Sequence, residues 1–137
     1  MNDERPISEL LQLQQATEDA SRPEAVASRR SKGFRTAREN LDDLCDAGSF
    51  IEYGQLAVAA QRNRRSLEDL RSSTPADGVI TGLATINAEE FGPGASQVAV
   101  AVYDYTVLAG TQGYFHHRKL DRILEVAGRE LLPIVMY

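Results

Sequence analysis

Two short runs, "VITGLATIN" (79–87) and "QVAVAVYD" (97–104), limit the fold most tightly, because each is apolar on both of its alternating sets of positions. A strand with one wet face alternates apolar and polar residues, whereas one that is apolar on both faces has to be covered on both. The Gly92-Pro93-Gly94 stretch between the runs suits a hairpin connection. Beyond the second run, Leu120, Ile123, Leu124, Ala127 and Leu131 recur at helical spacing and predict a helix from about Tyr114 to Glu130. Pro133 ends it, and "PIVMY" reads as a buried strand, so residues 97–137 form a strand, loop, helix, strand unit with parallel strands and a right-handed crossover. A parallel strand ordinarily feeds another loop and helix, so a chain stopping on "VMY" is expected to be truncated.

In the first half, Pro6 and Ser8 signal a short helix over residues 7–20 with Ile7, Leu10 and Leu11 on one face. Polar and small residues from Asp19 to Ser31 read as a connector. The stretch "FRTARENLDDLCDAG" sets Phe34, Ala37, Leu41, Leu44 and Cys45 at helical spacing, with Gly48 as the stop. "SFIEYG" is β-prone, and "QLAVAAQRNRRSLEDLRSS" is permissive for helix. In "TPADG", Pro75 fixes its φ, Asp77 can bond nearby backbone and Gly78 tolerates positive φ, which together make a turn.

At 137 residues, with 42% hydrophobic and 26% charged residues, the chain has material for one core. Its net charge of −5 argues against a general nucleic-acid binder, which needs excess cations to displace phosphate counterions. Cys45 is the only cysteine, which rules out an internal disulfide and a multi-thiolate metal site and fits a reducing compartment. No apolar run is long enough to span a bilayer, and "MNDERPISELLQLQQ" is too acidic for a secretory signal. A soluble, cytoplasmic protein with no membrane partner is expected.

The segment "YDYTVLAGTQGYFHHRKLDR" (103–122) carries the chemistry worth testing. Ala109, Gly110 and Gly113 let backbone N–H groups approach a ligand between a strand and a helix, where they can hold a developing oxyanion; a plain tight turn accounts for the same residues. His116 and His117 are adjacent on a helix and cannot both ligate one metal, and His116 shares the stripe of Leu120. Arg118 and Lys119 either reach a phosphate or lie on a solvated face, where Arg118 with Asp121 and Glu125 with Arg129 make ordinary pairs. The cluster Arg29, Arg30, Lys32, Arg35 and Arg38, with Arg62, Arg64 and Arg65, either attracts a compact anion or balances acids such as Glu39, Asp43 and Asp69. No carboxylate pair, Ser-His-Asp set or P-loop is present.

The segments "RTARENLDDLCDAGSFIEYGQLAVAAQ", "TPADGVITGLATIN" and "YDYTVLAGTQG…HHRKLDRILEVA…LPIV", in that order, resemble the N-terminal part of the carboxyltransferase component (β subunit) of biotin-dependent acyl-CoA carboxylases. The resemblance runs from about Arg29 to Tyr137, leaving residues 1–28 as an N-terminal helix and connector. It implies an α/β, crotonase-like fold of repeated ββα units, present here as an incomplete N-terminal part. It also implies transfer of a carboxyl group from carboxybiotin to the α-carbon of an acyl-CoA, with backbone amides stabilising the thioester enolate. Carried onto this chain, the Leu108-Ala109-Gly110-Thr111 turn would give one amide, from Ala109 or Gly110, and Leu108, Thr111 and Gly113 would line the substrate. Arg29, Arg30 and Lys32 would meet the CoA phosphates, and no metal is implied. Biotin would ride on a separate carrier, not covalently on this chain. The implied partners are that biotin carboxyl carrier, a biotin carboxylase, the remaining carboxyltransferase domain and further copies in an oligomer. A non-catalytic fragment contributing only an interface, or another crotonase-like acyl-CoA enzyme such as a hydratase or decarboxylase, are the alternatives.

Overall fold

The computed structural model describes residues 5–137. Three helices come first, α1 (Arg5–Gln15), α2 (Pro23–Ser31) and α3 (Ala37–Leu44), then strand β1 (Ile51–Tyr53) and helix α4 (Leu67–Ser73). Strands β2 (Val79–Thr85) and β3 (Gln97–Tyr103) follow, with the one-turn helix α5 (Ala88–Phe91) in their connection, and the long helix α6 (Tyr114–Glu130) leads to β4 (Ile134–Met136).

The four strands form one sheet in the order β1-β2-β3-β4. The hairpin β2–β3 is antiparallel, with Val79 opposite Tyr103 and Thr85 opposite Gln97, and β4 pairs parallel to β3. Both faces of the hairpin are covered, as its doubly apolar sequence demands. On one face Ile80 and Ala84 join Val98, Val100 and Val102 against Ala37 and Leu41 of α3. On the other, Val79, Ala99 and Ala101 meet Leu120, Ile123 and Ala127 of α6. Alternation along β3 thus gives valines to the short helix and alanines to the long one, and the small side chains let α6 lie close. Ile123 is among the fully buried side chains, and cutting one of its kind to alanine costs about 2–5 kcal/mol.

Several local elements differ from expectation. Residues Asp19 to Ser31 are not an unstructured connector: a 3-10 turn spans Asp19–Ser21 and α2 begins at Pro23, which at a first helical position loses no needed N–H. The expected boundary between residues 28 and 29 falls inside α2. In α1, Ile7, Leu10 and Leu11 point to solvent rather than into the core. Helix α3 starts at Ala37 behind a capping box, in which the Glu39 N–H donates to Thr36 Oγ1 (3.1 Å) and the Thr36 N–H to Glu39 Oε2 (2.7 Å), so Phe34 lies outside it and is exposed. Of the permissive stretch after Gln55, only Leu67–Ser73 is helical, behind the Ser66 cap.

The parallel pair decides where the 104–113 loop sits. The Tyr137 N–H donates to Ala101 O (3.1 Å) and the Tyr103 N–H to Tyr137 O (2.8 Å), so the loop leaves β3 at the same end of the sheet as Tyr137.

Candidate active site

The loop opens on Asp104, whose Oδ1 accepts from the Thr106 N–H (2.9 Å) and Thr106 Oγ1 (2.6 Å), while its Oδ2 receives Arg22 (3.0 Å). Arg22 also donates to Thr106 Oγ1 (2.9 Å), so α2 is tied to the base of the loop. Leu108, Ala109 and Gly110 then follow with φ of 46°, 54° and 80°, three left-handed residues in a row. Glycine is required at the third, because a Cβ there would lie 2.6 Å from the Tyr105 ring.

That winding consumes some amides and leaves others. The Gly110 N–H donates to Val107 O (3.0 Å) and the Thr111 N–H to Leu108 O (3.1 Å). Among the described residues the Ala109 N–H meets no backbone acceptor, and Ala109 itself is exposed. Of the two candidate donors of that one amide, then, Gly110 is internally bonded and Ala109 is not. Gly113 is the residue before α6, with no side chain to cap that helix.

The cap comes from 39 residues away. The His116 N–H donates to Asp77 Oδ2 (2.8 Å), inside the turn "PADG", where Ala76, Asp77 and Gly78 are all left-handed. His116 returns the contact through Nδ1, 3.1 Å from Asp77 O; a carbonyl only accepts, so Nδ1 carries the proton. Burial lowers the imidazole's proton affinity, against the opposing pull of Asp77, and among the described residues its Nε2 has no partner. The ring lies 4.9 Å from that of Tyr103.

Lys119 overturns the solvated-face reading. It is buried, and its ammonium donates to Ala76 O (2.8 Å) and to Val79 O, gripping the same turn from below. Its position three residues after His116 and four before Ile123 puts it on the buried stripe of α6, a spacing the sequence does show. The expected surface pairs also change, to Arg122 with Glu125 and Arg129 with Glu130.

The arginine cluster divides by partner. Arg30 is paired with Glu39, Arg35 with Asp43 and Arg65 with Asp69. Arg38, buried, makes a two-pronged bond to Glu52 (2.6 and 3.2 Å) that ties α3 to β1. Arg29 differs: its guanidinium sits 4.5 Å from the Phe34 ring centroid and 5.3 Å from that of Tyr105, the ring that rests on Gly110. Residues 29 and 110, far apart in sequence, therefore share one neighbour. Lys32 ends α2 and is exposed. Cys45 closes α3 half-buried, and burial with nearby Asp46 and Asp42 pushes its thiol up, away from thiolate chemistry. Among the described residues no group of His, Cys, Asp and Glu could hold a metal ion, and no helix is long and apolar enough to cross a membrane.

Compared with known families, residues 28–137 match the carboxyl transferase domain. The chain belongs to the carboxyl transferase family. This family of enzymes has a crotonase-like fold, of which the chain carries a mixed α/β part. The propionyl-CoA carboxylase beta chain of Saccharopolyspora erythraea is 34% identical over 112 residues, 81% of this chain and 18% of that one. The biotin-dependent long chain acyl-coenzyme A carboxylase beta4 subunit of Mycobacterium tuberculosis is 34% identical over 129 residues, 92% of this chain and 22% of that one. A solved single-chain, multi-domain long-chain acyl-CoA carboxylase superposes on 96% of this chain and 14% of its own, with 57% identity and a TM-score of 0.94. This carboxyl transferase chain thus spans about a fifth of the length of these curated relatives.

Proposed function

We propose that this chain forms the acyl-CoA half-site of a biotin-dependent acyl-CoA carboxylase, in which a carboxyl group passes from carboxybiotin to the α-carbon of the acyl chain. The observation that carries the reading is the Leu108–Gly110 turn, which spends the Gly110 and Thr111 amides internally and leaves the exposed Ala109 N–H free of backbone acceptors. Loss of the α-proton drives negative charge onto the thioester oxygen. An N–H fixed at that oxygen binds the enolate more strongly than the neutral thioester, and this difference lowers the barrier. No side-chain nucleophile is required.

Residues 29–137 are the working part in this reading, and residues 1–28 precede it. Arg29 and Lys32 meet the CoA phosphates, with Arg30 held back by Glu39, and Leu108, Thr111 and Gly113 shape the thioester end. Carboxybiotin supplies the carboxyl group from a separate carrier. With the Ala109 amide given to the thioester, no residue of this chain is assigned to the biotin ureido ring and no step is derived on it. A biotin carboxylase, the rest of the carboxyltransferase and further copies complete the assembly; hexamer assembly is described for transcarboxylase 12S, 29% identical with a TM-score of 0.78. We place the protein in the cytoplasm, since its single cysteine suits a reducing compartment.

The test is an amide-to-ester replacement at position 109, introduced as the hydroxy-acid analogue of alanine in a longer carboxylase assembled to include this chain. It deletes the N–H and keeps the side chain. Loss of one such donor lowers kcat about 100- to 1,000-fold. An unchanged kcat would return the chain to a non-catalytic, interface role.

A further inference from the structure

Three contacts join the stretch 104–116 to one distant segment, the left-handed turn Ala76–Gly78. At its start, the Asp104 N–H donates to Gly78 O (2.9 Å). In its middle, Val107 lies over Gly78, where a Cβ would come within 3.3 Å of Val107 Cγ1. At its end, the Asp77 carboxylate lies beneath Gly113, 2.9 Å from where a Cβ would stand, and accepts the His116 N–H. Gly113 therefore has to be glycine for the carboxylate to reach the helix. The turn is itself held, by His116 Nδ1 on Asp77 O and by Lys119 on Ala76 O and Val79 O.

Three consecutive left-handed residues, two of them not glycine, do not persist without support, since a side chain is strained in that region. The support here comes from α6, and the same contacts set both ends of residues 104–113. Resting on the assignment of the Ala109 amide, we propose that Asp77 is a positioning residue for that amide, with His116 and Lys119 holding it in place. Asp77 is 1% exposed and His116 0% exposed, so neither touches substrate. Their effect passes through the loop. A shift of about 1 Å in a reacting contact can cost on the order of 100-fold in rate.

The experiment uses the longer carboxylase with three changes: Asp77→Ala, Asp77→Asn and the ester at position 109. Asparagine keeps an oxygen for the His116 N–H and tolerates the left-handed backbone, so it restores most of the turnover that alanine loses. Asp77→Ala is expected to lower kcat by about 10- to 100-fold with KM for acyl-CoA unchanged, and to add little to the loss already caused by the ester. Lys119→Met serves as a second variant if Asp77→Ala does not fold by circular dichroism, with the same expected split between kcat and KM. An ester that slows turnover, combined with a fully additive Asp77→Ala or Lys119→Met loss, overturns the positioning role alone. An ester without effect overturns the Ala109 assignment and the positioning role with it.

Discussion

Burial holds the Lys119 ammonium well below the usual lysine range, at about 8; Glu52 opposes that fall and Arg38 adds to it. The folded-state value is depressed, so between about pH 8 and 10.5 the unfolded chain binds more protons than the folded one, and this group's contribution to stability rises with pH across that window. Below pH 8 the full cost applies, about 3 kcal/mol. In urea unfolding of the parent and of Lys119→Met, the parent should therefore gain about 2–3 kcal/mol on the variant between pH 7.5 and 10. A difference that does not move with pH would show that the charge is not desolvated. At the residue scale the sequence was legible for spacing and silent on partners: Lys119 lies on the stripe of Leu120 and Ile123, but its acceptors are 43 and 40 residues away. Asp77 is the same case, since "TPADG" announces a turn and nothing local announces that its carboxylate caps α6.

Elements were legible where one property decided them. The β2–β3 hairpin followed from apolar residues on both strand faces, and α6 from periodicity over its 17 residues. Helix α2 escaped because its apolar content is low and Val26 is its only buried residue; the sign that was there, Pro23 at the first position, is a cap signal and not a periodic one. Gly82 of β2 reveals a constraint between elements. A Cβ there would overlap Ile51 O of β1 and lie 2.5 Å from Phe50 Cε2, so the edge strand docks only over a glycine. Gly82→Ala would push β1 outward and strain the Arg38–Glu52 bond, at a cost of about 1–3 kcal/mol. Gly128→Ala, inside α6 with open space around it, should stabilise by up to about 1 kcal/mol. Denaturant midpoints moving in opposite directions would confirm both, whereas a neutral Gly82→Ala would mean that β1 is loosely held.

For the whole molecule, a net charge of −5 coexists with Arg29 and Lys32 at the end of α2, which make no ion pair among the described residues. On the proposed reading that these cations meet the CoA phosphates, a CoA titration of the longer carboxylase should weaken with Lys32→Glu; unchanged affinity would leave them as solvated surface. The 137-residue chain alone spans 18% to 22% of the two curated relatives compared, so carboxybiotin with several acyl-CoAs should give no malonyl-type product from it. Without a placed second reactant, up to roughly 7–11 kcal/mol of positioning advantage is forgone; measurable turnover would show a complete site within these residues. The bond from the His116 amide to Asp77 also has a dynamic meaning. Helix ends usually fray and exchange their amide hydrogens quickly, but the first turn of α6 cannot open without uncovering the start of β2. The His116 amide is therefore expected to exchange with the amides of the hairpin rather than at the rate of a frayed helix end, which a hydrogen-exchange measurement would read.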